Sequence, residues 1–155
     1  MCVSRTTINF IATAFFIAYS VAGLFLFAVP DQWGSKKTMA VFCTLHLFAQ
    51  YSIIFVPNYT VRLLGFAMMG ACQLKNSVSY MWLFGLIQRK HTSISCGLMN
   101  SWTMLTLSVI SVYFTFISSN WFGLMLSMTI LGTVGNVIML FMPESPGWLL
   151  QHGRK

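Results

Sequence analysis

The sequence predicts an all-α fold: a single polytopic bundle that crosses a bilayer about five times. Three observations carry this. Of the 155 residues, 57% are hydrophobic and 7% are charged, with a mean hydropathy of +0.75. A globular chain with a water-facing surface carries about a quarter charged residues. The sequence also divides into five apolar runs, each long enough to cross about 30 Å of hydrocarbon at 1.5 Å per helical residue. Finally, six of the nine Lys and Arg residues form three adjacent pairs, and each pair sits between apolar runs or after the last one.

The runs are 8–29, 38–56, 61–87, 93–117 and 121–142, and the tail is 143–155. All belong to one domain. Helices are expected because each satisfies its own backbone in lipid, and the two-residue alternation of barrel strands is absent. The first run is too long for the core of a signal peptide. Pro30 is expected to end it, and Gly34 to allow the reversal into the second run. The remaining connections are short, which forces an up-and-down arrangement.

Orientation follows from charge. Lys36 and Lys37, Arg89 and Lys90, and Arg154 and Lys155 all fall on one side of a five-span arrangement. The positive-inside rule makes that side cytoplasmic. The C-terminus is then cytoplasmic and the N-terminus outside, which hints at a preceding span. The Asn58-Tyr59-Thr60 sequon lies outside but against the membrane, where no glycan is expected.

The same features exclude several functions. The two acids, Asp31 and Glu144, are too far apart for paired-carboxylate hydrolysis. The net charge of +7 is spread over span ends rather than in a nucleic-acid patch. Cys2, Cys43, Cys72 and Cys96 form no CxxC pair and read as free thiols. We expect no enzyme activity, no metal and no organic cofactor.

Inside the membrane the third run is the most informative. Cys72, Gln73, Lys75, Asn76, Ser77, Ser79 and Tyr80 fall on one half of a helix at 100° per residue. Leu74, Val78, Met81 and Trp82 fill the other half. Lys75 lies about 20 Å into the span. A mid-membrane Lys costs about 2.5–3.5 kcal/mol on insertion scales, so it needs water or a partner. Gln73, Lys75, Asn76 and Tyr80, with Asn100 of the fourth run, are therefore the candidates for a solute path. The alternatives for Lys75 are snorkelling or packing against carbonyls. Ser108, Ser111 and Thr115 read as hydroxyls bonded to helix carbonyls. His46 reads as a packed histidine. Ala14, Ala18 and Ala22, and Gly132 with Asn136, read as small-residue or polar helix contacts.

Four segments resemble the major facilitator superfamily. Asp31, Gly34 and Lys36 in PDQWGSKK fall on the superfamily's loop pattern between its second and third helices, with Lys37 beside them. Arg62-Leu63-Leu64-Gly65 resembles the start of its fourth helix, and Asn120-Trp121 stands before the sixth. The tail PESPGWLLQHGRK resembles the segment that follows the sixth helix in sugar porters and organic-ion transporters. The chain departs from these patterns at Phe27, Ser35, Leu83 and Gly147.

The resemblance implies that the five runs are helices two to six of the family's N-terminal half. The first helix and the second half are then missing. It implies transport of a small polar solute, sugar-like or an organic ion, by alternating access, incomplete in this chain alone. It also places Asp31, Gly34, Lys36, Lys37, Arg89, Lys90 and Glu144 in a cytoplasmic charge motif, with Glu144 expected to pair with Arg89 or Lys90. The expected partners are the lipid bilayer, the solute, and a second half, another copy or other membrane subunits. The rival reading is a non-transporting structural subunit or scaffold of a membrane complex.

Overall fold

The computed structural model describes residues 5–26, 28–87, 89–117 and 119–143. The tail landmark from residue 144 onward, Ser145-Pro146 and the expected Glu144 pairing lie outside the described residues. The described chain is mostly helical, with no strand among those residues. Its helices are α1 (Arg5–Leu26), α2 (Val29–Trp33), α3 (Ser35–Phe55), α4 (Tyr59–Ala71), α5 (Leu74–Leu86), α6 (Thr92–Val112) and α7 (Trp121–Phe141). A 3₁₀ turn (Arg89–His91) leads into α6, and a π-helical turn (Tyr113–Ile117) ends it.

Among the described residues four segments are long and apolar enough to cross a membrane: Asn9–Leu26, Ser35–Phe55, Thr92–Ile117 and Trp121–Phe141. The fifth expected span, 61–87, is not one helix. It is α4 and α5, 13 residues each, joined at Cys72 and Gln73. Three amides there donate to carbonyls three residues back. They are Gln73 to Gly70 (3.1 Å), Lys75 to Cys72 (3.1 Å) and Asn76 to Gln73 (3.0 Å). The α-helical ladder tightens to 3₁₀ over this turn and resumes. Asn76 Nδ2 donates to Gln73 Oε1 across it (2.9 Å).

The first connection also differs from expectation. Pro30 does not end the first span, since α1 stops at Leu26. Instead Pro30 sits in the first turn of α2, where a missing N–H costs nothing. Gly34, at φ 93°, is the reversal point, as expected of a residue without Cβ. Lys36 and Lys37 then lie in the first turn of α3 rather than in a loop. Lys36 Nζ donates to the Leu140 carbonyl (2.9 Å), so the α2–α3 corner and the end of α7 share one end of the bundle. Asparagines start two helices: Asn58 Oδ1 accepts from the Thr60 amide (2.9 Å), and Asn120 Oδ1 from the Phe122 amide (3.1 Å).

Helix α3 is the hub, packing against α4, α5 and α7. Phe42, Ala49, Ile53 and Ile54 of α3 are buried, as are Leu74, Val78 and Trp82 of α5. Thus the apolar half expected of 74–82 does face the bundle, except that Met81 is exposed. Helix α1 lies along α4, with Ala22 buried. Gly70 makes that contact possible: a Cβ there would overlap the Phe15 carbonyl. Between α3 and α7, Tyr51 Oη meets Thr133 Oγ1 (3.1 Å), and Asn136 Nδ2 donates to Thr44 Oγ1 (3.2 Å). Such bonds and close small-residue approaches replace the hydrophobic drive that lipid removes.

Candidate functional site

The five candidate path residues do not share one surface. The bend at Cys72–Gln73 puts Lys75 and Asn76 in the first turn of α5, and they diverge from there. Lys75 lines a cavity of about 280 Å³ between α3, α5 and α7. Asn76, Tyr80 and Asn100 line a second cavity of about 570 Å³ between α5 and α6, with Ser79, Trp102 and Thr103. Gln73 lines neither; its side-chain oxygen is taken by Asn76 across the turn.

The Lys75 cavity has an unusual wall. Met39, Cys43, His46 and Gln50 of α3 face it at spacings of four, three and four residues, one stripe of a helix. Asn136 of α7 closes the other side, with Gly132 and Gly135. His46 is buried, with the Met69 backbone beside it, and its Nδ1 has no partner. Asn136 Oδ1 is buried and unpartnered as well. Among the described residues, Lys75 Nζ has neither an ion pair nor a hydrogen bond. A cation, an imidazole and two amides thus surround a space between α3, α5 and α7 without a carboxylate among them. Buried polar atoms left unpaired cost about 1–3 kcal/mol each, so the arrangement favours a polar guest or water.

Gln50 is missing from the sequence-derived candidates, and His46 appears there as a packing residue. The signal was the polar spacing 43, 46, 50 within an apolar run, which points three polar side chains the same way. In the second cavity Tyr80 Oη donates to Asn100 Oδ1 (3.2 Å). This hydrogen bond links α5 to α6. The hydroxyls of Ser108, Ser111 and Thr115 bond back to carbonyls of their own helix, as expected.

Of the residues expected in a cytoplasmic motif, Asp31 is exposed in the first turn of α2. Lys36 reaches α7. Lys90 is exposed in the 3₁₀ turn before α6. Cys43, Cys72 and Cys96 are free thiols, and Cys2 lies outside the described residues.

At the opposite end of the bundle two other landmarks meet. Arg62 sits 5.6 Å over the Trp121 ring and donates from Nε to the Val56 carbonyl (3.1 Å). These segments are about 60 residues apart in sequence, and the fold brings the Arg-led start of α4 onto the start of α7.

No family model matches the chain. A mouse (Mus musculus) protein, solute carrier family 22 member 21, is 23% identical over 146 residues, which cover 93% of this chain. The match takes in 26% of that protein, so the chain spans about a quarter of the relative's length. The chain is a helical, multi-pass membrane protein with a distant likeness to a solute carrier.

Proposed function

We propose that the chain forms part of an alternating-access carrier of the major facilitator type, moving a small polar solute that is sugar-like or an organic ion. The observation that carries this is Lys75, a cation within the spans that lines a cavity with His46, Gln50 and Asn136. An ionisable side chain at this depth marks a substrate path by default, because lipid alone would not retain it. The likeness to a solute carrier supports the reading at the level of class. Carriers of this kind place their site between repeats, so the Lys75 cavity and the Asn76–Tyr80–Asn100 cavity are the parts of a path that this chain supplies.

The test is Lys75→Met in the assembled protein, measured as solute uptake into liposomes. Removing an intramembrane charge should leave insertion intact and reduce uptake by about tenfold, the effect of one lost charged contact. Unchanged uptake at unchanged assembly would remove Lys75 from the path.

One observation favours a structural subunit as the second reading. Helix α6 has no buried residue and exposes Leu98, Trp102, Leu105 and Val109. A span packed so little against its own bundle suits a subunit that docks on other membrane proteins. In that case Trp102→Ala on α6 weakens copurification with those proteins, and Lys75→Met leaves uptake unaffected.

A further inference from the structure

A third cavity, of about 450 Å³, lies away from Lys75, between the ends of α1, α3, α6 and α7 and the start of α4. Ile53, Phe66, Phe114 and Met125 are among its apolar walls, and Arg62 and Trp121 belong to its lining. Arg62 stands at the start of α4 and Trp121 is the first residue of α7, so both sit at a span end, the level favoured by membrane tryptophan. The Arg62 guanidinium has the Val56 carbonyl and the Trp121 ring as partners, and no acid among the described residues. The described acid, Asp31, lies in α2 at the opposite end of the bundle, where Lys36 joins α3 to α7.

We propose that this cavity binds a single-chain fatty acid, with its carboxylate on Arg62 and its alkyl chain among the apolar walls. Charge complementarity selects the head group. A guanidinium presents a planar fork that matches a carboxylate, and at the interface it is only partly hydrated. The cation–π contact with Trp121 and the bond to Val56 hold the fork in place and leave its other N–H groups available. Volume selects the tail. An apolar cavity of about 150 Å³ accommodates a benzene of six carbons, so about three times that volume takes roughly eighteen heavy atoms. That is the size of one sixteen-carbon acid and less than a two-chain phospholipid. Met128 is the one residue that this lining shares with the Lys75 cavity, and neither Arg62 nor Trp121 lines the solute path.

The experiment uses the whole chain in nanodiscs of uncharged phosphatidylcholine. Quenching of tryptophan emission by 11-bromoundecanoate is compared with quenching by 11-bromoundecanol, and palmitate serves as competitor. We expect saturable quenching by the acid, displacement by palmitate, and an affinity for the alcohol roughly tenfold weaker, the effect of one lost charge-assisted contact. Trp121→Phe should remove most of the saturable quenching. Arg62→Gln should bring the acid down to the level of the alcohol. Equal saturation by acid and alcohol would overturn the proposal, because it needs no cation. Quenching that never saturates reports bulk lipid and overturns it too, as does displacement by phosphatidylserine but not by palmitate. The acid–alcohol comparison is made on the unmodified protein, so the outcome stands even if a variant fails to fold.

Discussion

Helices α5 and α6 are neighbours linked by a 3₁₀ turn and the Tyr80–Asn100 hydrogen bond, yet they are built into the protein in opposite ways. Helix α5 buries Leu74, Val78 and Trp82 against the bundle and turns its polar face to two cavities. Helix α6 buries nothing, and its Thr103, Thr106, Ser108 and Ser111 hydroxyls bond to its own carbonyls. Composition does not separate them, since both are apolar helices dotted with Ser and Asn. The difference lies in where small and polar residues sit relative to α3. Lipid is as apolar as leucine, so an apolar face alone does not choose between lipid and protein. Packing goes to the helix that offers close fit.

The sharpest way to break this comparison is to truncate one tryptophan on each helix. Trp82 is 7% exposed and Trp102 71% exposed. Trp82→Ala should destabilise the bundle by about 3–5 kcal/mol, the usual cost of an emptied aromatic site. Trp102→Ala should stay within about 0.5 kcal/mol, as surface changes do. Unfolding in mixed micelles measures both, and equal losses would show that α6 is packed as tightly as α5.

A smaller effect tests the close fit itself. Gly70→Val places a Cβ against the Phe15 carbonyl, where backbone rather than a flexible side chain must give way. Overpacking of this kind costs about 1–3 kcal/mol. The same change at Gly97 of α6, which has open space beside it, should cost no more than its propensity. Similar losses at both sites in the same unfolding assay would remove Gly70 as the point of contact between α1 and α4.

The smallest effect concerns the link between the two helices. Tyr80→Phe deletes the bond to Asn100. Interhelical hydrogen bonds in membranes contribute about 0.6 kcal/mol, so stability should scarcely change. Helix α6 should nevertheless loosen from α5, visible as faster exchange or labelling at Cys96, whose thiol is free on α6. Unaltered reactivity would mean that this bond does not restrain α6.

Much of this organisation was legible beforehand. The apolar runs located α1, α3, α6 and α7 to within a few residues, because hydrocarbon thickness sets a helix length that any sequence must meet. Gly34 was legible as a reversal because L-residues resist positive φ. The apolar half of 74–82 was legible from periodicity. The bend at Cys72–Gln73 was not, since no proline marks it and the tightening arises from the packing of both halves on α3. Nor was the division of the polar face into two cavities, because 100° per residue assigns a side of the helix and not the neighbour that side meets.

Sequence alone therefore determined that this is a multi-pass helical membrane protein, how many apolar segments it has and which residues are expensive to keep in lipid. Those properties depend on local sums of transfer free energy along the chain. Tertiary structure decided that Lys75 shares a cavity with His46, Gln50 and Asn136, that Arg62 lies on Trp121, and that α6 stays at the margin. Those pairings join residues tens of positions apart, and they depend on which helix surfaces fit closely enough to displace lipid.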